Sequence, residues 1–461
     1  MPMDKGSRAA LLFSVCMAHF MMPFMVSAVG VALPTLGRDL DASAMQLGLV
    51  ETTYALAAAV FLLSMGRLGD IHGRKHVFVN GLLVFSIFGA LIAVAPSVEA
   101  VIALRFFQGI GGSMVMATSM AMIVGAFPAR ERGRALGIVV ASVYAGISFG
   151  PLTGGFLVQH FGWRSLFYMV LPLGLLTFVV VRSRIKQDWA EAAGEPFDFS
   201  GALVYALAVL LLFSGVVNVN SGLWAWGLIG AGNIGLVGFL WFESRQRYPI
   251  LNVTLLTRNR VFAFSNLAAM LNYAATFGIV FFMSLYLQYV KGLEPQQAGV
   301  VLIISPVVQT ILSPLCGRLA DRMPAGWVAT TGMLFCACAL GFAANLDRAS
   351  DMLMVYALLI FLGTGFALFS SPNISIIMGS VAPRYLGIAS GMNASMRTFG
   401  MLSSMMIITL VFTRLMPGVA VSEHTIDAFL RSMHITLLIF SALCTLGIGC
   451  SLVRLKGSSE L

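Results

Sequence analysis

GRLGDIHGRK, residues Gly66 to Lys75, is the stretch whose reading decides the fold. It is polar, with Asp70, His72, Arg74 and Lys75, and it stands between two apolar segments, Met45 to Met65 and Val77 to Ala95. Each segment, as a helix, is long enough to cross a hydrocarbon core of about 30 Å. The polar stretch therefore reads as a tight turn between two membrane spans. A related turn, GRLADR from Gly317 to Arg322, recurs later in the chain between two further apolar segments. Reuse of one turn predicts two related halves.

Composition agrees. Hydrophobic residues are 59% of the 461 and charged residues 10%, and the mean hydropathy is +0.91. A soluble domain carries about 25% charge. The formal charge of +9 is spread over short loops in twos and threes, and nucleic-acid binding needs a clustered basic face. The six cysteines lie in apolar segments, where they read as small buried thiols and not as a metal site or a disulfide framework. The first segment follows MPMDKGSRAALLF without a small-residue cleavage site, which predicts a retained helix. No nucleotide loop and no paired nucleophile and base stand at helical spacing, so the sequence reads as a non-enzymatic protein without a cofactor.

Apolar runs predict an all-α polytopic membrane protein with spans near 10–34, 46–65, 77–95, 101–125, 135–158, 165–181, 199–217, 223–242, 261–289, 298–316, 327–344, 352–377, 386–412 and 434–453. Most of the 28 basic residues, Arg67, Arg74, Lys75, Arg182, Arg184 and Lys186 among them, fall at the chain ends or the even-to-odd junctions. The positive-inside rule then places both termini in the cytoplasm. The polar stretches Arg182 to Phe199 and Glu243 to Arg260 bracket spans seven and eight, which carry no internal charge. The expected organisation is six helices in 1–185, a two-helix insert in 186–260 and six helices in 261–461.

Ionisable residues at membrane depth are costly and mark function first. They are His19, Glu51, Arg105 and Arg397. Glu51, in LVETTYAL with Tyr54, reads as a proton-coupling carboxylate, a structural partner of an arginine or histidine, or a residue at the outer interface. His19 reads as a proton relay or a satisfied core histidine. Arg105 shares a helix face with Gln108, and Arg397 follows Asn393 by one turn. Met21 and Met25 belong to a methionine- and phenylalanine-rich neighbourhood suited to varied apolar ligands. The glycines of the fifth span, with GPLTGG from Gly150 to Gly155, read as helix packing, as a sliding surface, or as both.

These residues carry a family likeness. The chain resembles the major facilitator superfamily of secondary transporters, and within it the fourteen-helix drug:proton antiporters (6+2+6). Gly66 to Lys75 looks like the signature between its second and third helices, and Gly317 to Arg322 like the weaker copy. Arg105, Gln108, Gly109 and Gly112 match its fourth-helix motif, and Gly146, Gly150, Pro151, Gly154 and Gly155 its fifth. Trp163, Arg164, Phe167, Pro172 and Gly174 resemble the start of its sixth helix, and Gly387 to Gly400 its thirteenth.

The resemblance implies proton-driven export of a lipophilic or amphipathic small molecule, by a monomer among the lipids of a prokaryotic inner membrane. The alternative is transport of a defined organic anion or lipid-like metabolite on Arg105 and Arg397. Gly66, Asp70, Gly73, Arg74, Arg134, Gly150, Pro151, Gly154 and Asp321 are the expected conformational gate. Two motif positions depart from the pattern: Met25 stands where the first-helix aspartate is usual, and Val170 where an asparagine is usual. The second half also lacks a mid-membrane carboxylate. Glu51 is left as the expected proton carrier.

Overall fold

The computed structural model describes residues 3–457 apart from 252, 254–256, 258, 382–385, 418–420 and 422. Side chains are not described at a few further helical positions, among them Arg134 and Asp321 of the expected gate. The described residues are helical with short connections, and fourteen of the helices are long and apolar enough to cross a membrane. The chain is an all-α integral membrane protein.

The first eight helices are α1 (Lys5–Asp39), α2 (Ala44–His72), α3 (Arg74–Ala93), α4 (Val98–Ala126), α5 (Ala129–Phe161), α6 (Arg164–Arg184), α7 (Phe199–Val217) and α8 (Leu223–Glu243). After them come α9 (Arg260–Thr276), α10 (Ile279–Leu285), which runs into a π-helical turn at Tyr286–Val290, α11 (Pro295–Leu302) and α12 (Ile304–Arg322). The last are α13 (Ala325–Ala343), α14 (Met352–Gly379), α15 (Leu386–Leu415) and α16 (Ile426–Gly457). Side-chain caps open several of them: Asp4 accepts from Gly6 N and Ser7 N, Ser97 from Ala100 N, and Asn259 from Phe262 N.

Two compact units result, one of residues 1–42 and 49–252, the other of 43–48 and 253–461. The same crossing occurs once in each. In the first unit a Cβ on Gly81 would stand 2.9 Å from the Gly111 carbonyl, and one on Gly111 would stand 2.8 Å from the Gly81 carbonyl. In the second, Gly332 and Gly365 oppose each other's carbonyls in the same way at 2.6 and 2.9 Å. Reciprocal glycines let α3 lie on α4, and α13 on α14, at backbone distance. One helix crossing is thus common to the two units.

α1 packs along α5 by a related device. A Cβ on Gly150 would stand 2.9 Å from the Phe24 carbonyl, and one on Gly154 would stand 2.8 Å from Ala28 Cβ. Pro151 lies inside the uninterrupted α5. The α7–α8 hairpin sits in the first unit, where Tyr205 donates to the Ala59 carbonyl of α2 at 2.8 Å and packs on Phe239 of α8.

The structure corrects the expected polar loop at 66–75. α2 continues without a break to His72, α3 begins at Arg74, and Gly73 alone departs from the helix, at φ 106°. Polarity misled the reading because charged residues in the last two turns of a helix that has left the hydrocarbon look like loop. Only a glycine adopts that φ without strain, so the turn needs one residue.

Candidate functional site

Glu51 on α2 and Arg105 on α4 meet inside the first unit, 5% and 0% exposed. Close approach is what α4's glycines permit: a Cβ on Gly109 would lie 2.6 Å from the Tyr54 carbonyl, and one on Gly112 would lie 2.7 Å from the Tyr54 hydroxyl. Arg105 Nε donates to the Val50 carbonyl at 3.1 Å and Nη1 to Gln108 Oε1 at 2.9 Å. Its guanidinium lies over the Tyr54 ring, 4.5 Å from the centroid. The ion pair itself is loose, with Arg105 Nη2 3.9 Å from Glu51 Oε2, beyond hydrogen-bond reach. Glu51 Oε1, Arg105 Nη2 and Gln108 Nε2 are all buried with no hydrogen-bond partner. Buried polar atoms are nearly always partnered, so three unpartnered ones in a single cluster make this the candidate site.

His19 lies on α1 with Nε2 2.7 Å from Ser119 Oγ of α4. Met21 and Met25 are both 1% exposed on the same helix. In the second unit Arg397 is half-buried and lies against the Tyr273 hydroxyl, whose ring packs edge-on to Phe366 at 5.4 Å. Asn393 is half-buried one turn away. The expected residues thus fall into an α2–α4 group and an α9–α15 group, with His19 and the two methionines on α1.

The expected gate residues of the first unit pair with one another and with a segment that follows α6. Asp70 Oδ1 accepts from Arg74 Nε at 2.8 Å, and Arg74 Nη1 and Nη2 reach Glu191 at 2.9 and 3.1 Å. Glu191 belongs to a strap, residues 186–198, laid along the α2–α3 junction. Arg74 N donates to the Trp189 carbonyl and Ala192 N to the Asp70 carbonyl, both at 2.9 Å. Asp188 accepts from Lys75 N at 2.8 Å and pairs with His76, and Arg67 pairs with Glu195. Asp188 therefore serves the amino terminus of α3, where free N–H groups and the helix dipole favour an acid. The side chains of Arg134 and Asp321 lie outside the described residues.

Arg454, near the end of α16, is a buried arginine that sequence reading missed. It is 2% exposed, with Nη1 donating to Asn373 Oδ1 at 2.7 Å and Ser265 Oγ at 3.3 Å, and Nη2 to Ser451 Oγ at 2.6 Å and the Gly326 carbonyl at 3.2 Å. The one available signal was the absence of any charge earlier in α16's apolar run, which left Arg454 looking like an end charge.

Charged side chains this deep in apolar helices, with atoms left over for a passing partner, are the mark of proteins that move solutes across a membrane. The fold is that of a membrane transporter. A sequence profile described as Major Facilitator Superfamily matches residues 15–405, and the chain belongs to that family. It is 29% identical to the riboflavin transporter RibZ of Clostridioides difficile, over 84% of each chain. It is 30% identical to the multidrug resistance protein Stp of Mycobacterium tuberculosis, over 84% of this chain and 73% of that one. With the tetracenomycin C resistance and export protein of Streptomyces glaucescens the identity is 28%, over 86% and 74%. A crystal structure of a bacterial homologue of the human lysosomal transporter Spinster shares the fold, at TM-score 0.69 and 15% identity over 98% of both chains.

Proposed function

We propose that this chain exports lipophilic or amphipathic compounds across a prokaryotic plasma membrane in exchange for protons, as a monomer with both termini in the cytoplasm. The observation that carries the reading is the Glu51–Arg105 cluster. A carboxylate held at 3.9 Å from its arginine, with one oxygen unpartnered, accepts a proton without dismantling a tight pair. Arg105 stays fixed on Val50 and Gln108 through the exchange. The cluster is neutral overall with Glu51 ionised and cationic with Glu51 protonated, so a substrate that prefers one state biases the other. Each unit by which the carboxyl's affinity for protons differs between conformations supplies about 1.4 kcal/mol of coupling. Names among the relatives that include multidrug resistance and export support the direction.

In this reading Met21, Met25, Tyr54 and Gln108 present soft and polar surface to substrate in the first unit, and Asn393 and Arg397 do so in the second. Asp70, Arg74, Gly66 and Gly73, with Arg134 and Asp321, form the conformational gate. Gly150, Pro151 and Gly154 give α5 and α1 a surface to slide on. A second reading is favoured by Arg397, which has no carboxylate partner among the described residues: a defined organic anion or lipid-like metabolite would supply one. Reconstituted vesicles given a labelled hydrophobic cation or a labelled organic anion, each with and without an imposed pH gradient, test both. Gradient-driven movement of the cation is expected. Movement of the anion alone transfers the proposal to the second reading, and indifference of both to the gradient removes proton exchange.

A further inference from the structure

The strap at 186–198 is seated on three helices of the first unit. Its backbone is tied to the α2–α3 junction in both directions: Arg74 N donates to the Trp189 carbonyl, and Ala192 N donates to the Asp70 carbonyl, each at 2.9 Å. Asp188 fills the hollow over Gly73, where a built Cβ would stand 2.5 to 2.8 Å from its carboxylate group. Its Oδ1 accepts from Lys75 N and from Trp189 N, both at 2.8 Å. Gly73 therefore suits the junction twice, through its φ of 106° and through the room it leaves for Asp188. The Trp189 ring lies on the last turn of α4, where a Cβ on Gly125 would stand 2.8 Å from Cδ1 and from Nε1. Two glycines on different elements thus shape the seat.

The strap fits its seat closely, but the forces holding it there are weak. Each of its three ion pairs has an exposed member: Glu191, 67% exposed, on Arg74; His76, 72% exposed, on Asp188; and Glu195, 38% exposed, on Arg67. Exposed pairs contribute little and are screened by salt. Trp189 is buried, yet its indole Nε1 has no hydrogen-bond partner, and a buried donor left unmade disfavours the seated form. Residues 186–198 form no helix or strand, so lifting them breaks no ladder. We infer that the strap is a detachable lock on the adjoining ends of α2, α3 and α4. Seated, it holds the three ends as one body. Lifted, it leaves the α2–α3 junction to the Gly73 turn and the Asp70–Arg74 pair, with the helices still folded. Arg74 is the shared piece, divided between Asp70 and Glu191 while the strap is seated and returned to Asp70 when it lifts. The lock opens by local unfolding, which lies below global unfolding in free energy. The inference is independent of what the transporter carries or in which direction.

The test follows hydrogen–deuterium exchange in the full-length protein in detergent, on peptides that cover Arg74 and Lys75 and on those that cover Ala192. These amides bond across the strap's seat, so they should exchange together and well ahead of amides in the interiors of α2 and α3. Gly125→Leu fills the Trp189 seat and alters no charge. It should speed exchange of the three amides about tenfold or more while the melting temperature stays within about 2 °C of the parent's. Asp188→Ala should do the same from the other end of the seat, and it carries the test where Gly125→Leu does not fold. Strap amides that exchange no faster than the interior of α2, in the parent and in the variants, would overturn the lock and make the strap a fixed part of the fold. So would a variant that speeds the strap and the interior of α2 equally.

Discussion

Arg105 and Arg454 are both buried guanidiniums, one in each unit, each with one nitrogen unpartnered, and they differ in what holds the rest. Arg454 has five donors to place and finds only neutral oxygens, from Ser265, Asn373, Ser451 and Gly326, on three helices besides its own. Arg105 finds one backbone carbonyl, one glutamine and a carboxylate at 3.9 Å. Neutral acceptors have one state, so the Arg454 site is a permanent rivet among α9, α13, α14 and α16. A carboxylate has two states, so in the proposed function the Arg105 site is the one whose net charge changes. Burial is common to the two arginines; the chargeability of the partner is what differs.

The largest effect is expected where the partner is chargeable. Glu51→Gln should abolish substrate-induced proton release from the solubilised protein while leaving binding of an uncharged substrate within about twofold. Release equal to the parent's would strike Glu51 from the coupling role and move His19, held by Ser119, to the front. Arg454→Met should keep both binding and proton release yet lower stability by about 3 kcal/mol, since it strands Asn373, Ser451 and Gly326 without their donor. Thermal unfolding followed by tryptophan fluorescence reads this, and a variant that is stable but uncoupled would erase the distinction between the two arginines.

The smallest stability effect belongs to a third arginine at the edge of the membrane. Arg74 holds Asp70 and Glu191 together, with Asp70's side chain 34% exposed. Asp70→Asn should therefore cost about 0.5 kcal/mol or less, and should slow turnover in vesicles more than it weakens equilibrium binding. Equal losses in rate and affinity would assign Asp70 to the binding site and remove it from the gate.

Apolar length made the number of spans readable, because a run of about 20 apolar residues has few fates other than crossing a bilayer. Glu51, Arg105 and Gln108 were readable as exceptions within such runs. Arg454 was not, since a charge at the last turn of a span looks solvated until the neighbouring helices are seen to overhang it. The strap was not readable either. Lys186 to Asp198 has the composition of a linker, and only the fold brings Asp188, Glu191 and Glu195 against His76, Arg74 and Arg67. Pairs of charges separated by more than 100 residues leave no local pattern.

The single non-helical residue at Gly73 makes the α2–α3 junction a poor place for a protein engineer to work. An added residue has no slack to occupy: it would turn α3 by about 100° about its axis and carry Arg74, Lys75 and His76 off the strap together. A reporter peptide spliced after His72 would then disturb the transporter far more than its own size suggests. The turn at Asn218–Gly222, closed by Ser221 N donating to the Asn218 carbonyl at 2.8 Å, offers a splice point that leaves the α2–α3 junction in register.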